Sequence, residues 1–209
     1  MSAIERISFH LNIRDEKPNQ QLAKELAESS DTDGINEIAR YLRDKNPNVR
    51  SDCIKILYEI GYIKPDLITR YVDEFLNLLD SNQNRMVWGG MIALSTIADI
   101  VPEKVWAGID KVLQAIKGGS VITVVSGVKV LSAVAAHDDH YSARIFPVLT
   151  ELLETCIPRD VPIHVENMLA CINKENSQIT LDILRAREPE LSKTQMTRLK
   201  RVINTIQKI

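Results

Sequence analysis

The sequence predicts an all-α fold, a right-handed α-α superhelix of about five stacked helix pairs, and three observations predict it. Apolar positions recur every 37 residues, the apolar spacing inside each unit is helical, and the turns repeat a proline-acid signature at the same interval. The recurrence is visible as columns. Leu57, Leu94, Leu131 and Met168 form one, and Ile60, Ile97, Val134 and Cys171 form another. Val72, Ile109, Phe146 and Ile183 form a third, flanked by Phe75, Val112 and Leu149 and by Leu79, Ile116 and Leu153. Several columns agreeing at one offset mark a solenoid, in which each unit buries its apolar face only against its neighbours.

Residues 1–18 precede the repeats as an arm or cap. "ISFHLNIR", residues 7–14, alternates Ile7, Phe9, Leu11 and Ile13 with polar residues, which is the strand period, yet Ile4, Ile7 and Leu11 also share one helix face. An extended segment would need a second copy of the chain or a ligand protein for its backbone, whereas a helical one would cap the first repeat. The repeats then run approximately 19–45, 46–82, 83–119, 120–156 and 157–189. The first is short and polar, as a terminal repeat without an outer neighbour should be.

Within a repeat, Ile54, Leu57 and Ile60 and then Val72, Phe75, Leu76 and Leu79 step by three and four, so each unit reads as two helices. Lys64-Pro65-Asp66 and Val101-Pro102-Glu103 place proline and an acid in a first helical turn, where the missing N–H is harmless and negative charge meets the helix dipole. Asn46-Pro47 opens another helix in the same way. The stretch "KGGSVITVVSGVKVLSAVAAH", residues 117–137, is glycine-rich and β-branched, but it lacks the G-x-x-x-x-G-K-[ST] order of a phosphate loop. By register it is a Gly118-Gly119 stop, a Ser120 N-cap and the first helix of the next unit. Gly127 falls in a column with Cys53 and Gly90, small residues that would let adjacent first helices approach closely.

The last segment, residues 190–209, reads as a basic capping helix with Met196, Leu199, Ile203 and Ile206 on one face and Arg198, Arg201 and Lys208 around the other. Formal net charge is −2 for the 209 residues, but residues 185–209 carry seven Lys/Arg against Glu188 and Glu190. A +5 tail thus follows a −7 body. No apolar run approaches a membrane span, and Glu5 and Arg6 stand where a signal peptide needs its apolar centre, so the expected location is the cytoplasm. Cys53, Cys156 and Cys171 are odd in number and lack CxxC spacing, which suits buried thiols in a reducing compartment. The whole chain, 1–209, reads as a single repeat domain.

"NPNVRSDCIKILYEIG", residues 46–61, resembles the first helix of a HEAT repeat, with its Asn-Pro opening, the Val49-Arg50 pair, small Cys53 and the Leu57 anchor. The resemblance covers roughly residues 20–190; the related armadillo arrangement is the alternative. Met86-Val87 and Thr123-Val124 replace the Val-Arg pair in later units, so the polar ladder usual in such repeats is expected at Arg50 alone. The resemblance implies a non-catalytic scaffold or adaptor that binds a partner protein or peptide on its second helices. HEAT-like DNA glycosylases carry a basic groove with tryptophans and an acid, whereas Trp88 and Trp106 here sit on an acidic body. The iron hydroxylases of this fold use His-Glu dipeptides, and this chain has none.

Helical phase marks Arg70, Asp73, Glu74 and Asn77, then Asp110, Lys111 and Gln114, then Glu151 and Glu154, as the partner-facing residues of the second helices. The alternative is a nucleic-acid-associated protein using Lys193, Arg198, Lys200 and Arg201, though no aromatic residues interleave there to stack bases. "HDDH", residues 137–140, has the donor types of a metal site, but it falls at a turn where its acids cap the next helix, and neighbouring side chains diverge. His10 and His164 lack a visible catalytic partner. No catalytic residue, cofactor or metal is therefore expected.

Overall fold

A computed structural model describes residues 2–209. Every regular element among them is helical, and the chain divides into two compact units, one ending at Gly127 and one running Val128–Ile209. The first contains α1 (Lys17–Ser29), α2 (Thr32–Arg40), α3 (Pro47–Ile63), α4 (Val72–Leu78), α5 (Asn84–Ile97), α6 (Pro102–Ala107) and α7 (Ile109–Lys117). Helix α8 (Val121–Ala135) carries the chain into the second unit, which holds α9 (Asp139–Thr155), α10 (Val161–Met168), α11 (Ser177–Arg187) and α12 (Lys193–Ile206). Each 37-residue repeat opens with one of α3, α5 or α8, as the register requires.

The caps follow the sequence signals. Asn46 Oδ1 accepts the Asn48 N–H at 2.9 Å in front of Pro47. Ser120 Oγ accepts the Thr123 N–H at 3.3 Å, and α7 stops at Gly118. Asp138 caps α9 by accepting the His140 and Tyr141 N–H groups, so the HDDH turn does what its position implies. Arg50 Nη1 donates to the Asp44 and Lys45 carbonyls at 2.5 and 3.2 Å, closing the end of the first repeat.

Two second helices are broken where the apolar spacing predicts one continuous helix. In the second repeat a 3-10 segment, Pro65–Tyr71, precedes α4; in the third, α6 and α7 meet at Gly108. A Cβ on Gly108 would lie 2.5 Å from Leu76 Cδ1, so the chain passes directly against α4 there. That close approach explains the glycine.

The core of the first unit is built on α3, which packs most extensively against α5 and α1. Cys53, Ile54, Ile56, Leu57 and Ile60 are fully buried on it, and each large aliphatic contributes on the order of 2 kcal/mol by leaving water. The glycine column behaves differently from expectation. A Cβ on Gly90 would sit 2.9 Å from the Phe75 carbonyl oxygen, and one on Gly127 would sit 2.5 Å from Ile116, so both glycines admit the second helix of the preceding repeat. First helices approach one residue earlier, where a Cβ on Gly89 would meet Ile54 of α3 at 2.8 Å. Helical phase explains the shift, since adjacent positions differ by about 100° around the axis.

Residues 7–14 form neither strand nor regular helix. Leu11 N–H donates to the Ile7 carbonyl and Ile13 N–H to the Ser8 carbonyl, closing a turn around left-handed Asn12 (φ 55°). The reason lies in the backbone donors. Ser8 N–H is taken by Asn19 Oδ1 at 2.9 Å and Phe9 N–H by Asp52 Oδ2 at 2.8 Å, so no neighbouring strand is needed. Ile4 and Ile7 are buried, while Phe9, Leu11 and Ile13 remain exposed.

Candidate partner-binding surface

The second helices of the first unit are joined by hydrogen bonds between repeats. Tyr71 Oη donates to Asn36 Oδ1 of α2, and Lys111 Nζ of α7 donates to Asn77 Oδ1 at 2.8 Å and Asp80 Oδ2 at 2.7 Å. Two side chains expected to face a partner, Asn77 and Lys111, are therefore bonded to one another, with Asn77 exposed and Lys111 half-buried. Their separation of 34 residues comes from neighbouring second helices in register, a spacing no single-helix pattern reveals. Arg70, Asp73, Asp110 and Gln114 are exposed and Glu74 is half-exposed. Arg70 lies 5.9 Å from the centroid of the Tyr71 ring. The result is a surface on α2, α4 and α7 whose framework side chains are fixed and whose carboxylates at Asp73 and Glu74 project outward.

In the second unit Glu151 and Glu154 are exposed on α9. Of the basic residues of α12, Lys193, Lys200 and Arg201 are exposed, whereas Arg198 is bound in bidentate fashion by Glu166 of α10. Arg187, counted in the sequence as part of the basic tail, is buried. It donates to the Leu153, Glu154 and Cys156 carbonyls at 2.8, 2.5 and 2.6 Å, and to Glu190 at 3.0 Å. It thereby satisfies the open carbonyls at the end of α9. The tail presents fewer free cations than its composition implies.

Sequence reasoning missed a clasp on the first-helix side of the first unit. Glu16, just before α1, accepts from Lys55 of α3 and Arg85 of α5, both at 2.9 Å, and Lys55 also reaches Glu59 at 2.7 Å. Burial alone would lower the Lys55 ammonium, but its hydrogen bonds to Glu59 and Glu16 more than offset that and hold it above the usual lysine value. Lys55 and Arg85 hold the Glu16 carboxyl below its usual value. Lys55 lies over the Tyr58 ring and Arg85 over Trp88, with centroid distances of 5.0 and 5.2 Å. A cleft of about 650 Å³ opens beside the clasp, lined in part by Arg14, Asn48, Ser51 and Arg85. Sequence separations of 39 and 69 residues leave no local signal for these contacts.

Cys53 and Cys171 are buried and Cys156 is half-buried; burial pushes all three thiols above their usual value, which suppresses the thiolate. His164 is buried in α10 with Nδ1 unpartnered. Burial lowers its imidazole below the usual value, against a smaller opposing pull from Asp160.

No family model and no curated protein matches this chain. Solved structures do. An engineered protein from a structural genomics consortium superposes with a TM-score of 0.66 at 15% identity, covering 100% of this chain and 98% of that chain. A designed armadillo repeat protein in complex with the peptide (KR)4 gives 0.64 at 14% identity, covering 98% of both chains. One of a set of computationally designed armadillo repeat proteins for modular peptide recognition gives 0.59 at 15% identity, covering 98% of this chain and 95% of that one. The chain has the fold of these helical repeat proteins, an α-α solenoid of the HEAT/armadillo type.

No helix among the described residues is long and apolar enough to cross a membrane.

Proposed function

We propose that the chain is a non-catalytic scaffold that holds a partner protein or peptide on its second helices, in the cytoplasm, with residues 1–18 and 190–209 serving as caps. The observation that carries this reading is the surface of α2, α4 and α7. Its framework is fixed by the Tyr71–Asn36 and Lys111–Asn77 bonds between repeats, leaving Asp73 and Glu74 without an ion pair. A surface fixed before binding loses less side-chain freedom on association. The fold neighbours whose names record peptide binding or peptide recognition support the same use of the architecture. Raised thiols and the absence of a catalytic constellation in the sequence agree with a binding role.

The test is panning of a displayed random peptide library on the immobilised protein. Sequences rich in Lys or Arg should be enriched by the natural chain. Asp73→Lys/Glu74→Lys, both on the solvent side of α4, should weaken the selected peptides at least about tenfold, roughly 1.4 kcal/mol, with helical circular dichroism unchanged. Equal affinity in the double variant would remove this face from consideration.

A further inference from the structure

The two ends of the chain carry opposite charge in surfaces of matching chemistry. At the N-terminal end, a cleft of about 470 Å³ is lined by Glu5, Glu37 and Asp44 together with Ile4, Phe9, His10 and Tyr41, and no Lys or Arg among the described residues lines it. Among the described residues each of the three carboxylates accepts a backbone N–H and no side-chain donor: Glu5 from Ser2 at 2.9 Å, Glu37 from Ala3 at 2.8 Å and Asp44 from Asn46 at 2.7 Å. Three carboxylates thus meet an apolar wall, and the Arg50 guanidinium nearby is taken up by the Asp44 and Lys45 main-chain carbonyls rather than by a carboxylate. Such a lining suits a long basic side chain, whose methylenes lie on the apolar wall while its head reaches the carboxylates.

At the C-terminal end, residues 191–209 contain five Lys/Arg and no acid. Leu199, Val202 and Ile206 anchor α12 in the second unit, and Glu166 neutralises Arg198. Lys193, Lys200 and Arg201 are left exposed. Lys193, Thr197 and Arg201 stand four residues apart and line a shallow groove along the helix, so their stems are about 6 Å apart along the axis. The groove carries no aromatic side chain on which a base could stack. An acidic protein surface is therefore favoured over a single-stranded nucleic acid.

We propose that the occupant of this basic helix face is a second copy of the chain: α12 of one molecule docks into the Glu5/Glu37/Asp44 cleft of the next. The contact pairs two different patches, so it is heterologous, and each molecule keeps one surface of either kind to offer to a further copy. Its attraction is electrostatic at an exposed site. Raising salt from about 0.1 M to about 1 M shortens the screening length from about 10 Å to about 3 Å and should dissolve it.

The experiment is sedimentation velocity on the nuclease-treated full chain over a concentration series at those two salt levels, with two charge-reversed variants. The tail variant is Lys193→Glu/Lys200→Glu/Arg201→Glu, and the head variant is Glu5→Lys/Asp44→Lys, which keeps Glu37 on the Ala3 N–H. The natural chain should sediment faster as concentration rises at low salt and as monomer at high salt. Each variant alone should stay monomeric, because like charges then face one another. An equimolar mixture should associate again, since each variant carries an end complementary to the other. Recovery on mixing excludes misfolding as the reason the separate variants fail.

A natural chain that stays monomeric at low salt throughout the series would overturn the proposal, as would a tail variant that associates like the natural chain. Association lost on nuclease treatment would overturn it in favour of a nucleic acid on α12. Peptide binding by the second helices is a separate readout that the tail variant should leave unchanged, so either reading can fail without the other.

Discussion

Arg187 is the residue whose replacement should be most costly. The residue is 7% exposed, and its guanidinium binds three main-chain carbonyls at the end of α9. Hydrogen bonds from a charged donor are stronger than neutral ones, and truncation leaves buried acceptors unpaired. Arg187→Ala should lower unfolding free energy by about 3 kcal/mol in urea titrations, and an exposed control such as Arg185→Ala by well under about 1 kcal/mol. His164 should give the second unit a pH response. Its folded imidazole titrates below the ordinary value of 6.5, so the unfolded chain binds the proton more readily. The stability this contributes is fully present above the unfolded value and is lost as pH falls through the lower folded one. Urea midpoints measured at several pH values between about 7.5 and about 5 should therefore decline toward acid, and His164→Leu should flatten the decline. Neither residue announces itself in the sequence. Arg187 reads there as one more cation of the tail, and the burial of His164 depends on helices far along the chain.

At the scale of elements, the register of 37 located the helix pairs and their caps because the repeat brings the same local chemistry back several times. Asn46-Pro47, Gly118-Gly119-Ser120 and the HDDH turn each act through neighbours within a few residues, which a sequence can display. The partners of the glycine column, and of Gly108, depend instead on which helix passes closest. That distinction makes the glycines a sharp test. A Cβ on Gly90 would meet the Phe75 carbonyl oxygen and Leu78 Cβ at 2.9 and 3.0 Å, atoms that cannot swing away, whereas one on Gly118 would have nothing within 4 Å. Gly90→Ala should destabilise by about 1–3 kcal/mol through overpacking, outweighing its better helix propensity. Gly118→Ala, at φ −128°, should be neutral or stabilising by up to about 1 kcal/mol. Thermal midpoints that move in the same direction for both variants would contradict this account of the column.

For the whole molecule, the all-α solenoid was readable because its signal is periodic. The candidate surface was readable only in outline: helical phase found Asp73 and Glu74, but the bonds that join neighbouring repeats 34 or 35 residues apart lie outside any one helix. The same is true of the clasp at Glu16, and that clasp changes how the first unit should come apart. A solenoid linked only by nearest neighbours resembles a row of coupled switches, and its ends can fray one repeat at a time. Glu16 reaches past the first repeat to α3 and α5 together. Opening the N-terminal segment therefore takes one carboxylate from both following repeats at once, leaving Lys55 with Glu59 alone and Arg85 without its partner. Partial unfolding is penalised, and the separate fraying steps merge into a single cooperative melt that removal of residues 1–16 would broaden.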